Sequence, residues 1–138
     1  MNYNDDYPAC EETYTVLGIF TGEIIPDLVT HTLNITPSDL VEKGKIRWGH
    51  KKPATFNGWF LSSKEQVESM DSRRHIDWLL AQLAGKEGQL RKIVEKSEKA
   101  FICCYWVSGF GHGGPTLSKK QMEGLIKLGL DLEFEIHI

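Results

Sequence analysis

The C-terminal part of the chain constrains the fold most. There, an apolar strand, a glycine-rich loop, a capped helix and an alternating strand follow one another without a gap. Phe101 to Val107 has almost no polar position, the pattern of a strand buried within a sheet. The run Ser108-Gly-Phe-Gly-His-Gly-Gly-Pro-Thr-Leu-Ser118 then carries His112 through a turn-forming segment. Ser118 and Gln121 have capping-box spacing and start a helix whose inward face is Met122, Leu125, Ile126 and Leu128. Gly129 is placed as its left-handed stop, followed by the apolar Leu130. From there Leu130, Leu132, Phe134, Ile136 and Ile138 alternate with Asp131, Glu133, Glu135 and His137. This predicts a half-buried strand with a wet outer face.

The remaining elements follow from the same signals. Tyr14 to Phe20 reads as a strand, and Pro26-Asp27 opens a helix through Leu33 that Thr36-Pro37 breaks. Ser38 to Val41 reads as one more helical turn. Lys45 to Trp48 and Gly58 to Ser63 read as two strands of a long-looped hairpin. A helix from Asp71 carries Ile76, Leu79, Leu80 and Leu83, and Leu90, Ile93 and Val94 continue its face. Gly85 and Gly88 are positioned to kink or divide it. The order β-α-β-β-α-β-α-β predicts a single-domain α+β sandwich over residues 13–138. Its helices would lie on one face of a mainly antiparallel sheet, in a ferredoxin-like arrangement. Residues 1–12 hold four carboxylates and no Lys or Arg, and read as a flexible acidic tail.

Composition excludes several functions. The 138 residues allow a real core without staples. A net charge of −3 argues against a general nucleic-acid binder. No segment is long and apolar enough to span a membrane, and the start has no signal-peptide pattern, so a cytoplasmic protein is expected. Cys10, Cys103 and Cys104 form neither a disulfide framework nor a C-x-x-C pair, and are expected to be structural thiols. His31, His50, His75, His112 and His137 show no metal-ligand spacing, so no metal is expected, and no cofactor motif is present.

The pattern Cys104-Tyr-Trp106, then Gly-His-Gly-Gly-Pro-Thr-Leu-Ser118, then Leu128-Gly-Leu-Asp-Leu132, resembles a bacterial family known as domain of unknown function 4279. Gly58-Trp-Phe-Leu-Ser-Ser63 and the His75-Ile-Asp-Trp-Leu-Leu80 helix look similar too. The resemblance covers roughly residues 13–138. One departure is the ending Glu135-Ile-His137, where members often carry Asp-Ile-Tyr. The resemblance implies a fold and a boundary, and no activity or catalytic residues.

Two segments are candidates for binding. The first is Lys43-Gly-Lys-Ile-Arg-Trp-Gly-His-Lys-Lys52, with five cations and no acid. In it Arg47, His50, Lys51 and Lys52, together with Asn57, are candidate ligand-binding residues, and Arg73 and Arg74 are candidates to extend the patch. The second is the glycine-rich loop, where Ser108, Gly111, His112, Gly113, Gly114 and the helix start at Ser118 could hold an anion. The leading expectation is a non-catalytic binding module for a protein partner, in toxin immunity or regulation. The charge blocks of the chain are separated, which suits a protein surface. The alternative is a small enzyme, or an anion- or nucleotide-binding domain. The enzyme's pocket would lie between the hairpin and the glycine-rich loop, with His112 as acid–base and Ser108, Asn57 or His50 assisting. Oligomeric state is left open by the sequence.

Overall fold

The computed structural model describes residues 2–138. Nine elements follow in order: β1 (Cys10–Phe20), α1 (Pro26–Leu33), β2 (Asp39–Val41), β3 (Gly58–Ser62), α2 (Ser72–Leu83), α3 (Glu87–Lys96), β4 (Lys99–Ser108), α4 (Lys119–Leu128) and β5 (Leu132–His137). They form an α+β fold with one five-stranded sheet, in the order β2-β3-β1-β4-β5. The complete sheet does not have the ferredoxin-like arrangement expected. It is mixed, because β5 joins the edge of β4 in parallel while the other pairs are antiparallel. A parallel neighbour needs a crossover, and α4 supplies it. The two strand–helix–strand units at the chain ends are therefore not equivalent. β1 and β2 have β3 between them, whereas β4 and β5 are adjacent.

Strand alternation sorts the sheet into two unlike faces. Leu17 and Ile19 of β1 register with Leu61 and Trp59 of β3, and Leu17 also with Ile102 of β4. These residues meet Val29 and Leu33 of α1, Ile76, Leu79 and Leu83 of α2, Leu90 and Ile93 of α3, and Leu125 and Leu128 of α4 in one buried cluster. The fully buried Trp59 satisfies its indole by donating to Thr30 Oγ1 at 3.0 Å. The other face has no helix and is paved with aromatics. Tyr14 stacks on Tyr105, and Phe20 packs against Phe56, Phe60 and Phe101. Gly18 lies directly beneath the Phe101 ring, 2.4 Å from where a Cβ would stand, a cross-strand arrangement that shields a strand glycine.

Several expectations shift for physical reasons. Ser38 to Val41 is extended rather than helical, because Ser38 N–H donates to the Phe60 carbonyl and β2 pairs with β3. Lys45 to Trp48 makes only an isolated bridge, Ile46 to Pro53, since its apolar side chains find no core. Gly85, at φ 80°, divides the long helix into α2 and α3. β1 begins at Cys10, within the segment read as an acidic tail. Residues 2–9 lie against the start of α2: Asn4 N–H donates to Asp71 Oδ2 at 2.7 Å, and Met70 N–H donates to the Asp5 carbonyl at 2.8 Å. Leu125 and Leu128 of α4 face inward as expected, whereas Met122 and Ile126 are exposed and Gln121 is buried in their place. Phe134 and Ile136 are each 47% exposed, so the apolar side of β5 is largely open.

The three cysteines are free. Burial pushes the Cys10 thiol up to about 11 and the Cys104 thiol up to about 12, which leaves little thiolate at neutral pH. Among the described residues no helix is long and apolar enough to cross a membrane, and no group of three metal-ligating side chains forms.

Candidate functional site

The two candidate loops stand at opposite ends of the sheet. The basic loop joins β2 to β3, and β3 opens at Gly58 opposite Phe20, the last residue of β1. The glycine-rich loop leaves β4 at Ser108, opposite Cys10, the first residue of β1. The length of β1 separates them by about 33 Å. The cavity beside the basic loop contains no residue of the glycine-rich loop. The shared pocket expected between them does not form.

The glycine-rich loop is shaped by the protein's own N-terminal segment. Gly111 and Gly113 take left-handed φ values of 76° and 86°. A Cβ on Gly113 would stand 2.7 Å from Ala9 Cβ and 2.8 Å from Tyr7 Oη, whereas Gly114 faces open space. Gly109 N–H donates to the Ala9 carbonyl at 2.9 Å. Ser108 Oγ donates to the His112 carbonyl at 2.8 Å and accepts the Phe110 N–H at 3.3 Å, so it braces the turn. The exposed His112 ring lies on Phe110 with centroids 5.8 Å apart, and its nitrogens have no hydrogen-bond partner among the described residues. Ser108 and His112 therefore do not form a nucleophile–base pair.

The start of α4 is closed by a capping box. Ser118 N–H donates to Gln121 Oε1 at 2.9 Å, and Ser118 Oγ accepts from Arg73 Nη1 at 2.9 Å. Arg73 is in turn committed to Asp71, Nη2 to Oδ2 at 2.6 Å. Burial pushes the Asp71 carboxyl up. Hydrogen bonds from the Arg73 guanidinium and from the Asn4 and Arg73 amides outweigh it, and hold the group below its ordinary value. Arg74 pairs with Asp5 at 3.0 Å and lies over the Tyr3 ring. Both arginines thus belong to this end of the molecule and do not extend the basic loop. A cavity of about 280 Å³ remains between Tyr7, Asp71, Arg73, Trp106 and Pro115. Its cation already has an anion beside it. Asp71→Asn should lower stability by about 2 kcal/mol in denaturant titration, since Arg73 would lose its charged acceptor.

The basic loop carries the free charge. Arg47 Nη2 donates to both carboxylate oxygens of Asp39, at 2.8 Å to each, and Lys45 pairs with Glu42. Asn57 is also structural: its Oδ1 accepts the Lys43 N–H at 2.7 Å and its Nδ2 donates to the Gly22 carbonyl at 2.8 Å. Lys43, Lys51 and Lys52 have no side-chain partner among the described residues, and neither does the His50 ring. Trp48 is 99% exposed at the loop's tip. A depression of about 400 Å³ lies between Val41, His50, Lys51, Pro53 and Phe56. The edge-on contact of Phe56 with Phe20, at 5.5 Å, ties the loop's base to the aromatic face.

Sequence reading missed a buried polar chain. Ser63 Oγ and His75 Nδ1 are 2.7 Å apart, and His75 Nε2 is 2.7 Å from the Ser69 carbonyl. Ser63 Oγ also accepts the Thr15 N–H at 2.9 Å. The Ser–His spacing is that of a nucleophile and its base, yet Ser63 is fully buried and no substrate could reach it. Twelve residues separate the pair, and no periodicity marks it.

No curated protein and no solved structure matches the chain significantly. The model of one family does, over residues 11–138, from the second residue of β1 through the last residue. The chain belongs to that family, described as domain of unknown function (DUF4279).

Proposed function

We propose that the protein is a non-catalytic, cytoplasmic binding module whose contact surface is the basic loop between β2 and β3. Its partner would be a protein with an acidic surface. A toxin held inactive or a regulated enzyme would both fit. One observation carries the reading: a tryptophan exposed to 99% in a loop whose Lys43, Lys51 and Lys52 have no side-chain partner among the described residues. Exposed aromatic anchors beside cations are the residues that dominate protein interfaces. Unpaired lysines also accelerate encounter with an acidic partner. The glycine-rich loop supports this choice by default, because its glycines accommodate residues 7–9 and its nearest guanidinium is neutralised by Asp71.

The test is capture from lysate of the producing cell at low and moderate salt, read by mass spectrometry. A stoichiometric acidic partner is expected, weakened as salt rises. Trp48→Ala should weaken capture at least about tenfold, while changing stability by no more than about 0.5 kcal/mol. His112→Ala should capture as the parent does. Capture indifferent to Trp48, or absent at low salt, would sink the reading.

A further inference from the structure

A second site lies on the helix-covered side, at the other end of β2 from the basic loop. The segment Asn34 to Ser38 forms one wall, and the last turns of α2 with the link to α3 form the other. Leu61 of β3 lies between them. The cleft has a volume of about 460 Å³, larger than the two cavities already described. This is the size range in which small-molecule sites fall. Trp78 lies one position off the inward stripe of Ile76, Leu79 and Leu83. It is half-buried, packs against the core and forms part of the cleft wall.

The chemistry of the walls narrows the ligand. Ile35, Pro37, Leu61 and Trp78 give an apolar surface that includes one aromatic ring system. Asn34, Gln66 and Gln82 supply three side-chain carboxamides, none of which bonds to another described residue. Each can both donate and accept. Lys86 reaches only the Asn34 carbonyl, at 3.4 Å. No carboxylate lines the cleft, so its cation is uncompensated. The wall is also braced: Ser38 Oγ accepts the Ser62 N–H at 2.8 Å and holds the start of β2 against β3. Asn34, at φ 53°, is the left-handed C-cap of α1 and so fixes where this wall begins.

We propose that this cleft binds a small hydroxylated ring carrying one anionic group, of the size of a sugar acid or a sugar monophosphate. The ring stacks against Trp78, its hydroxyls exchange hydrogen bonds with the carboxamides of Gln66 and Gln82, and its anionic group meets Lys86. This site is independent of the basic loop. A partner bound at Trp48 does not require it.

The test titrates the full chain with D-glucuronate and with glucose 6-phosphate, using glucose and inorganic phosphate as controls. Binding is read by calorimetry and by ¹H–¹⁵N spectra of the Trp78 indole and the Gln66 and Gln82 side-chain amides. At least one anionic sugar should shift those signals at millimolar concentration. Lys86→Met should weaken it at least about tenfold, as loss of a charge-assisted hydrogen bond would. Glucose should bind correspondingly more weakly than the anionic probe. Gln82→Ala, on the solvent side of α2, gives a second reading should Lys86→Met fold poorly, and should also weaken binding. Silence from both anionic sugars would overturn the proposal. So would phosphate alone reproducing the shifts, or glucose binding as tightly as its charged counterparts.

Discussion

Replacing His75 by leucine should cost about 3–4 kcal/mol and lower the melting temperature by about 10 °C. The imidazole is 1% exposed and sits in a chain of hydrogen bonds whose polarity is set by its ends. A backbone carbonyl can only accept, so the nitrogen 2.7 Å from the Ser69 oxygen, Nε2, carries the proton. Nδ1 is then bare and accepts the Ser63 hydroxyl, whose oxygen accepts the Thr15 amide in turn. Leucine fills the volume but leaves the Ser69 carbonyl without its donor and the Ser63 hydroxyl without its acceptor. Unmet buried groups cost far more than the net gain of the bonds they replace. Ser63→Ala alone should cost about 2 kcal/mol. The double variant should lose at least about 1 kcal/mol less than the sum of the two, because one bond is removed by both changes. Strict additivity would mean that the two side chains act separately.

The same residue predicts a pH dependence. Burial holds the His75 imidazole below its ordinary value; the Ser69 hydrogen bond and the Asp71 charge oppose this without reversing it. The folded protein thus binds this proton less readily than the unfolded chain does. Stability from this group is complete above the unfolded pKa, about 6.5, and is lost as pH falls below it. The parent should weaken between pH 7 and pH 5.5, and His75→Gln should show a flatter profile. Parallel profiles would place the dependence on other groups.

How much of this was readable in advance depends on whether a signal was local. The capping box of Ser118 and Gln121, the left-handed Gly129, the break at Gly85 and the strand β4 all form as the sequence indicates, because each is decided within a few residues, although β4 is buried on one face and only half-buried on the other. β2 was misplaced because three residues are too few to show a period, and its extended form comes from pairing with Phe60, about twenty residues away. On α4, Leu125 and Leu128 face inward as expected, and the expectation for Met122 and Ile126 fails for a different reason. Gln121 donates to Asp77 at 2.8 Å and accepts the Ser118 amide, so a polar side chain takes the buried position while Met122 and Ile126 turn outward. Arg73 illustrates the limit for sites. Its charge is visible in the sequence, but its neutralisation by Asp71 depends on how the first turn of α2 is held. The basic loop stayed legible as a candidate because local composition sets it. The Ser63–His75 chain and the Trp78 cleft arise only when α2 lies on the sheet.

Gly113→Ala should be among the most damaging single changes, at about 3 kcal/mol, although it adds one methyl to a surface loop. Two costs combine. At φ 86° an L-residue is strained by about 1–2 kcal/mol. The new Cβ would also stand 2.7 Å from Ala9 Cβ and 2.8 Å from Tyr7 Oη. Tyr7 can swing aside, but Ala9 cannot, since its carbonyl holds the Gly109 amide and Ala9 and Cys10 pack against Trp106. Relief therefore displaces residues 7–9 and loosens the start of β1. Gly114→Ala is the control, because nothing lies within 4 Å of its added methyl and its backbone is not left-handed. That variant should stay within about 0.5 kcal/mol of the parent. If the loop glycines instead served an external ligand, Gly113→Ala would leave the melting curve unchanged and alter only binding. A drop in melting temperature for Gly113→Ala, with none for Gly114→Ala, assigns the loop to closure of the fold.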